Sequence, residues 1–234
     1  MRIALLEDDP VQATTLSAWL RDAGHDVHTY ASARDLKRDV GRESFDVFLL
    51  DWILPEQSGE EVLHWLREQR GESVPIIFIT ARKEEEDIVS ALSAGADDYM
   101  VKPVRRAEMI SRITAVWRRS QPRNREQDVV EHAPYRFEVN THRALRNGEK
   151  IELTEKEFNL AVFLFRNLGR LLSRGHLLEA VWGRNASVAT RTVDTHVSRV
   201  RSKLELRPEN GFRLTPAYNY GYRLESLSAD DEKS

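Results

Sequence analysis

The sequence predicts two successive domains: a doubly wound α/β domain around a five-stranded parallel sheet, then a smaller α+β domain. Three observations support this prediction. The chain has 234 residues, and a typical domain has roughly 100–200, so two ordinary domains fit better than one. In the first half, short apolar runs alternate with segments of helical period, as in βαβ units. Beyond a polar stretch the order changes, and strand-like runs precede helices.

Five short apolar runs predict the strands of the first half. Runs such as VFLL and IIFI are apolar throughout, as expected for parallel strands that are buried on both faces. The predicted strands are 2–6, 26–30, 46–50, 75–80 and 98–101, and helical segments lie at 10–23, 59–69, 84–93 and 106–119.

A polar stretch, SQPRNREQD at 120–128, has neither periodicity nor apolar anchors, so residues 120–133 are predicted to link the domains. The first domain is therefore expected at 1–119 and the second at 134–227, with a frayed tail at 228–234.

Local signals define the elements of the second half. Asn147-Gly148 is a favoured two-residue hairpin turn between strand-like runs at 135–146 and 150–153. Thr154 and Glu157 form a capping box, which predicts that a helix starts at Thr154. The remaining predictions are a helix from Ser173 to Trp182 that Gly183 ends, a helix at 190–206, and a hairpin of 212–215 with 222–224.

The helix predicted at 190–206 has two different faces. Four apolar residues form its core stripe: Val193, Val197, Val200 and Leu204. The opposite face is polar and basic, and it carries Thr192, Thr195, Arg199, Ser202 and Lys203, with Arg191 and His196 at its margins. Asp194 and Arg201 share one flank, where an internal ion pair is as plausible as an outside contact.

Composition excludes several classes of protein. No apolar run approaches the roughly 18 residues of a membrane span, and the N-terminus turns acidic at Glu7, so we expect a cytoplasmic protein without membrane contact. The absence of cysteine excludes disulfides and thiol catalysis. Residues 1–120 carry 16 Lys and Arg against 22 Asp and Glu, a net −6, whereas 121–234 carry 19 against 16, a net +3. The two halves are therefore expected to face different partners.

Four of the predicted strands end in polar residues: Glu7 and Asp8 after the first, Asp51 after the third, Thr80 on the fourth, and Lys102 after the fifth. The carboxyl ends of parallel strands meet at one edge of the sheet, so these side chains should cluster there. Gathered carboxylates repel one another unless a cation joins them, and oxygen ligands favour Mg²⁺. Asp51 would then be a nucleophile for phosphoryl transfer, with Lys102 and Thr80 on the phosphoryl oxygens.

Each residue also has a simpler explanation. Asp8 or Asp9 before Pro10 could cap the next helix, Thr80 could be a turn residue, and Lys102 could be a solvated lysine. The combination favours a functional site, because caps and turns do not require acids, a hydroxyl and an amine at successive strand ends.

The first half resembles the receiver domain of two-component response regulators, through LLEDD at 5–9, DWILPEQSG at 51–59, ITAR at 79–82 and GADDYMVKP at 95–103. The resemblance implies a CheY-like, flavodoxin-like fold and transfer of a phosphoryl group from a sensor histidine kinase to Asp51. It further implies Mg²⁺ ligation by Asp8, Asp51 and the Ile53 carbonyl with Glu7 nearby, switching through Thr80 and Tyr99, and a cis Lys102-Pro103 bond.

The same half is similar to the subfamily whose receivers dimerise through the fourth helix, fifth strand and fifth helix. By that resemblance, Asp98 with Arg112 and Asp97 with Arg119 would be ion pairs between subunits. Two positions depart from the family pattern. Ile88 stands where a basic residue usually faces the acid that is Glu108 here, so one pair is missing, and Val104 replaces a common Phe.

The second half resembles the winged helix-turn-helix effector of the OmpR/PhoB family over about 135–225, through LTEKEFNL, LLSRGHLLEAVWG, RTVDTHVSRVRSKL and YGYRL. The helix at 190–206 would be the recognition helix and residues 212–224 the wing. Expected contacts to promoter DNA are Arg199 and Thr195 on base edges, and Arg191, Thr192, His196 and Lys203 on the backbone or both.

The wing departs from the family, because PAYNY at 216–220 replaces the usual Arg-Gly tip. Tyr218 or Tyr220 is expected on sugar and phosphate, and packing inside the domain is an equal alternative. The second helix of this domain and the loop at 183–189 would face RNA polymerase, by analogy with the family.

The sequence thus predicts a phosphorylation-controlled transcription regulator that is not an enzyme. One alternative is a metal-dependent phosphohydrolase, but such enzymes commonly carry an Asp two residues after the nucleophile, where this chain has Ile53. Another is a DNA-binding protein whose receiver no longer responds to phosphate. The complete set of acids, hydroxyl and amine argues against that alternative.

Overall fold

The computed structural model describes residues 1–69, 74–120, 129–183 and 189–227. The chain forms two compact units, which are described separately below. The predicted tail at 228–234 lies outside the described residues, as does most of the polar stretch at 120–128. Among the residues that the structure describes, no helix combines the length and apolar composition needed to cross a bilayer.

The first unit is a five-stranded sheet in the order β2-β1-β3-β4-β5, with every neighbouring pair parallel. Its strands are β1 Arg2–Leu6, β2 Asp26–Tyr30, β3 Val47–Leu50, β4 Ile76–Thr80 and β5 Asp98–Val101. Its helices are α1 Pro10–Asp22, α2 Ala33–Val40, α3 Gly59–His64, α4 Glu85–Ser93 and α5 Arg106–Ser120. The predicted doubly wound fold is confirmed, and the strand order reverses between β1 and β3, where ligands of such sheets bind.

Two helices of this unit differ from the predicted segments. The helix α2 was not among them, and Ser32 begins it by accepting a hydrogen bond from the Asp35 amide. The segment predicted as one helix at 59–69 is α3 followed by a π-helical turn, Trp65–Gln69. The helix α2 has only eight residues, so helical periodicity alone gives it a weak signal.

Both faces of the parallel sheet are covered. On β1, Ile3 and Leu5 pack into one apolar layer, whereas Ala4 and Leu6 pack into the other. This alternation explains why the strands are apolar throughout, because successive side chains point to opposite buried faces. The strand ends, where polar residues begin, are the place where function is expected.

Within the described residues, the second unit has a four-stranded antiparallel sheet in the order β6-β7-β8-β9, three α-helices, and a three-stranded sheet in the order β10-β12-β11. The first sheet comprises β6 Val129–His132, β7 Tyr135–Glu138, β8 Arg143–Arg146 and β9 Glu149–Ile151. The other elements are α6 Glu155–Arg166, β10 Leu171–Ser173, α7 Arg174–Trp182, α8 Arg191–Leu204, β11 Phe212–Ala217 and β12 Gly221–Ser226. This is the predicted winged-helix architecture.

The interdomain linker predicted at 120–133 needs correction at both ends. Ser120 is the last residue of α5, and residues 129–132 form β6, which pairs with β7. Val130 on β6 is buried in the core of the second unit. A four-residue strand has too few alternations to be predicted alone, and its pairing with β7 stabilises it. The single run predicted at 135–146 is likewise two strands, β7 and β8.

Local sequence signals correctly predicted where α6 and α7 begin and where one hairpin turns. Thr154 begins α6 with both hydrogen bonds of the capping box, and Ser173 caps α7. Asn147 and Gly148 both have positive φ, 51° and 83°, as a tight hairpin turn with the twist of its strands requires.

Candidate active site and nucleic-acid interface

Four of the predicted site residues meet at the carboxyl edge of the first sheet. The Lys102 Nζ donates to Glu7 Oε2 and to Asp51 Oδ2, each at 2.6 Å. Oxygen atoms of Glu7, Asp8 and Asp51 all lie within 4.8 Å of one another. Glu7 and Asp51 are buried, whereas Asp8 is exposed. The structure thus brings three acids and one amine from separate strand ends into one cluster, which we call the acidic cluster.

The capping alternative is accounted for by Asp9. Its Oδ1 accepts hydrogen bonds from the amides of Val11 at 2.8 Å and Gln12 at 3.1 Å, so Asp9 is the N-cap of α1. Asp8 is not the cap residue, and its carboxylate belongs to the acidic cluster.

The acidic cluster fits a magnesium ion. Its ligand atoms are all carboxylate oxygens, and the exposure of Asp8 allows the bound waters that Mg²⁺ retains. The Ile53 amide donates to Asp51 Oδ1 at 3.0 Å, which holds that carboxylate in place. Ligation by the Ile53 carbonyl stays a prediction. The predicted cis Lys102-Pro103 bond is present.

Charges within the acidic cluster oppose each other. Burial raises the pKa of Glu7, although the hydrogen bond and charge of Lys102 act against this rise. Burial lowers the pKa of Lys102, but hydrogen bonds and charges of Asp51 and Glu7 more than offset it, so the pKa lies above its ordinary value. Lys102 therefore stays an ammonium and partly neutralises the two buried acids.

Thr80 and Tyr99, the predicted switch residues, are linked through Arg82. Thr80 is fully buried at the end of β4, and its Oγ1 lies 3.5 Å from the Arg82 amide. The Tyr99 hydroxyl donates to the Arg82 carbonyl at 3.0 Å, and burial raises the pKa of Tyr99 to about 12. A displacement of Thr80 would therefore affect Tyr99 through Arg82, which contacts both residues.

Arg82 was not singled out from the sequence. Its guanidinium carbon lies 5.2 Å from the centroid of the Trp52 ring, and its Nη1 donates to Asp87 on α4 at 2.8 Å. Trp52 also packs on the rings of Phe78 and Tyr99. No local pattern indicates these contacts, because they join β3, β4, α4 and β5.

The helix α8, which is the predicted recognition helix, has the predicted polar face. Val193, Val197, Val200 and Leu204 are buried, as the helical period predicted. One stripe of the opposite face is exposed: Arg191, Thr195, Ser198, Arg199 and Ser202. Ser198 was missed by the sequence prediction, although it lies seven residues after Arg191, two helical turns along the same stripe.

Two of the predicted DNA-contacting side chains, Lys203 and His196, have partners inside the domain. The Lys203 Nζ binds the buried Glu157 at 2.7 Å, so a phosphate contact would have to compete with this ion pair. The His196 ring packs edge-on against Trp182 with centroids 4.9 Å apart, and its Nδ1 lies 2.9 Å from the Thr192 carbonyl oxygen. The Thr195 hydroxyl also has an internal partner, because it donates to the Arg191 carbonyl at 3.3 Å. Contact of Arg191, Thr195 and Arg199 with DNA stays a prediction.

The wing separates its two tyrosines. Ala217 pairs with Gly221, so residues 218–220 form the tip of the hairpin, and Asn219 has a positive φ of 56°. The side chain of Tyr218 is 93% exposed. The Tyr220 backbone is tied at both ends, because its amide donates to Ala217 and its carbonyl accepts from Arg174. Tyr218 is the better placed of the two to contact DNA.

Comparison with known proteins identifies the family of each half of the chain. Residues 3–114 match the family described as response regulator receiver domain, and residues 148–224 match the one described as transcriptional regulatory protein, C terminal. The chain belongs to the OmpR/PhoB family of response regulators. Sensory transduction protein RegX3 of Mycobacterium tuberculosis is 40% identical over 225 residues, which cover 95% of this chain and 98% of that protein.

Two further comparisons cover nearly the whole chain. DNA-binding response regulator MtrA of Mycobacterium bovis is 36% identical over 222 residues, 95% of this chain and 96% of that protein. The crystal structure of response regulator DrrB of Thermotoga maritima, an OmpR/PhoB homologue, aligns with a TM-score of 0.47 and 28% identity, covering 96% of this chain and 99% of that one.

In this response regulator, the residues predicted to pair between receivers already have partners within one chain. Arg112 Nε binds Glu108 at 3.0 Å, and its Nη1 lies 3.3 Å from both oxygens of Asp98. Asp97 Oδ2 accepts from Arg67 at 2.8 Å and from the Ile76 amide at 2.9 Å. Ion pairs between subunits would have to replace these contacts. Arg119 is exposed at the end of α5.

The region predicted to face RNA polymerase is only partly visible. The helix α7 ends at Trp182, and residues 184–188 of the following loop lie outside the described residues. That surface stays a prediction.

Proposed function

We propose that this response regulator is a phosphorylation-dependent, sequence-specific transcription factor in which Asp51 accepts a phosphoryl group from a sensor histidine kinase. One observation carries the proposal: Lys102 Nζ lies 2.6 Å from Asp51 in a cluster where three acids come within 4.8 Å of one another. Such an arrangement supplies a nucleophile, an ammonium and a cation site for phosphoryl transfer.

In the proposed transfer, a carboxylate oxygen of Asp51 attacks the phosphorus of the kinase phosphohistidine. The new oxygen–phosphorus bond forms as the phosphorus–nitrogen bond breaks, and the imidazole leaves with that electron pair. Lys102 exchanges its bond to Asp51 for a phosphoryl oxygen. Asp8 and Asp51, with Glu7 nearby, would hold Mg²⁺, which would supply positive charge to the transferring group.

The phosphoryl group then draws the Thr80 hydroxyl toward it. Because Thr80 lies next to Arg82, this movement disturbs the Arg82 carbonyl that accepts from Tyr99. We propose that the resulting shift of Tyr99 and α4 favours a receiver homodimer through α4, β5 and α5. The change need supply only a few kcal/mol between two populated states.

Two effector domains of such a dimer would bind tandem half-sites in promoter DNA and contact RNA polymerase. Since the partner is the chromosome, we propose a cytoplasmic location. We also propose that the receiver does not turn over a small phosphorylated substrate, because Ile53 occupies the position where phosphohydrolases commonly carry their acid and base.

Trp52 gives a direct test of the phosphoacceptor. It follows Asp51, is 4% exposed, and packs against Tyr99 and Arg82. Mg²⁺ followed by beryllofluoride, a phosphoryl mimic, should change its fluorescence. Asp51→Asn should abolish the second response, because the mimic requires the carboxylate, and Trp52→Phe identifies the reporting tryptophan.

The outcomes separate the alternatives. A folded wild-type chain without a beryllofluoride response would favour the receiver that does not respond to phosphate. Multiple turnover of a phosphomonoester that depends on Asp51 would favour the phosphohydrolase. A phosphate added to wild type by a competent donor, and absent in Asp51→Asn by mass spectrometry, supports the proposal.

A further inference from the structure

We propose that Asp194, Arg174 and Tyr222, here called the Asp194 cluster, are positioning residues that hold the wing at a fixed place relative to the recognition helix. Asp194 Oδ1 accepts from Arg174 Nε at 2.8 Å and from the Tyr222 hydroxyl at 2.6 Å. The Arg174 guanidinium carbon lies 5.1 Å from the Tyr222 ring centroid. One carboxylate thereby joins three elements: α7, α8 and β12.

A second contact ties α8 to the other strand of the wing. Arg201 does not pair with Asp194, the internal partner that the sequence left open; its Nη2 donates to the Leu214 carbonyl on β11 at 2.9 Å. Asp194 and Arg201 are seven residues apart, so the two contacts lie about 10 Å apart along the helix axis. Contacts at two points fix the angle between the helix and the hairpin as well as their distance.

The hydrogen bonds of the Asp194 cluster have a charged acceptor and a protonated tyrosine donor. Hydrogen bonds to a charged acceptor are about twice as strong as neutral ones, and this oxygen accepts two. Burial raises the pKa of Tyr222, and the hydrogen bond and charge of Asp194 raise it further, so Tyr222 keeps the proton that it donates.

The inference rests on the proposed DNA surface. Arg191, Thr195 and Arg199 would read the major groove while Tyr218 at the wing tip contacts sugar and phosphate. Both contacts can form together only if the spacing between helix and wing suits the duplex. A preformed spacing avoids the entropy that would be lost if the wing were ordered on binding. The Asp194 cluster therefore strengthens binding without touching DNA.

A double-mutant cycle tests this role. The full-length chain is mixed with Mg²⁺, beryllofluoride and a duplex that the wild type selected from a random-sequence pool, at one salt concentration. Tyr222→Phe keeps the ring and removes the donor, and we expect about tenfold weaker binding. Tyr218→Ala should weaken wild-type binding by about tenfold but the Tyr222→Phe chain by less than about threefold, because a wing that is not held contributes little.

Tyr135→Phe is the matched control. It also removes a single tyrosine donor within the second unit, where Tyr135 donates to the Leu204 carbonyl at 2.7 Å. It should leave the tenfold effect of Tyr218→Ala unchanged. Asp194→Asn, which retains an acceptor oxygen, should give a smaller loss than Asp194→Ala. Circular dichroism and the unfolding midpoint show whether each variant folds. If Tyr222→Phe does not fold, Asp194→Asn takes its place in the double-mutant cycle.

The results distinguish the inference from the proposed function. Additive effects of Tyr218→Ala and Tyr222→Phe would overturn the positioning role and leave the DNA surface standing. No effect of Tyr218→Ala in the wild type would also overturn it, because there would be no wing contact to position. If Arg199→Ala left binding unchanged as well, the proposed DNA surface would fail.

Discussion

Removal of the Lys102 ammonium should make the stability of the receiver depend on magnesium. In Lys102→Met, the carboxylates of Glu7 and Asp51 stay buried but lose the cation that lies 2.6 Å from each. Their oxygens come within 4.8 Å of each other. At an effective dielectric constant of about 20, two unit charges at that distance repel by about 3.5 kcal/mol.

This value agrees with the usual cost of breaking a buried ion pair by removing one partner, about 3–5 kcal/mol. We therefore expect the free energy of unfolding of Lys102→Met to fall by about 3–5 kcal/mol in magnesium-free buffer. Millimolar Mg²⁺ should restore most of the loss, because it supplies the missing positive charge. It should stabilise the wild type less, since there it competes with the Lys102 ammonium.

Urea unfolding followed by tryptophan fluorescence measures this difference. Four of the five tryptophans lie in the first unit, so the signal reports mainly on the receiver. Lys83→Met, at an exposed lysine after β4, is the control for loss of a charge. A Lys102→Met chain within about 1 kcal/mol of wild type without magnesium would contradict this prediction, as would equal stabilisation of both chains by Mg²⁺.

Two further predictions concern the loop after Asp51 and the pH dependence of stability. A methyl group at Gly59 would overlap the backbone carbonyl of Asp51, so Gly59→Ala should greatly reduce the beryllofluoride response of Trp52, whereas Gly24→Ala, at a surface turn with open space, should affect stability only. Burial lowers the pKa of His132, so its protonation favours the unfolded chain. The stability that neutral His132 provides is present above the unfolded pKa of 6.5 and is lost as the pH falls through that value toward the folded pKa. Hydrogen exchange of peptides from the second unit between pH 7.5 and 5 (roughly the window in which histidine titrates) should show this loss; an equally steep loss in His132→Gln would contradict it.

Signals between residues close in the sequence predicted much of the secondary structure of this protein. The capping box at Thr154, the turn at Asn147-Gly148 and the core stripe of α8 each depend on residues within one or two turns of each other. The acidic cluster was also predictable, although its members lie far apart in the chain. A parallel sheet brings its carboxyl ends to one edge, so fold class alone determined which residues would meet.

Pairings between distant polar residues were decided by the tertiary structure. Asp194 pairs with Arg174 and Tyr222, not with Arg201 on its own helix. Asp97, predicted to pair across a dimer, binds Arg67 in its own receiver. A long cationic side chain reaches several acids from one backbone position, so sequence spacing cannot select its partner.

The strand β6 likewise depends on tertiary structure, here through backbone pairing. Residues 129–132 are too few to show an alternating pattern, and they form a strand because β7 offers them a free edge and Val130 reaches the core. Most of the elements, their order and the chemistry at the sheet edge could be predicted from the sequence alone. Only the packing of those elements decided which charges neutralise each other, because that choice depends on distances between residues far apart in the chain.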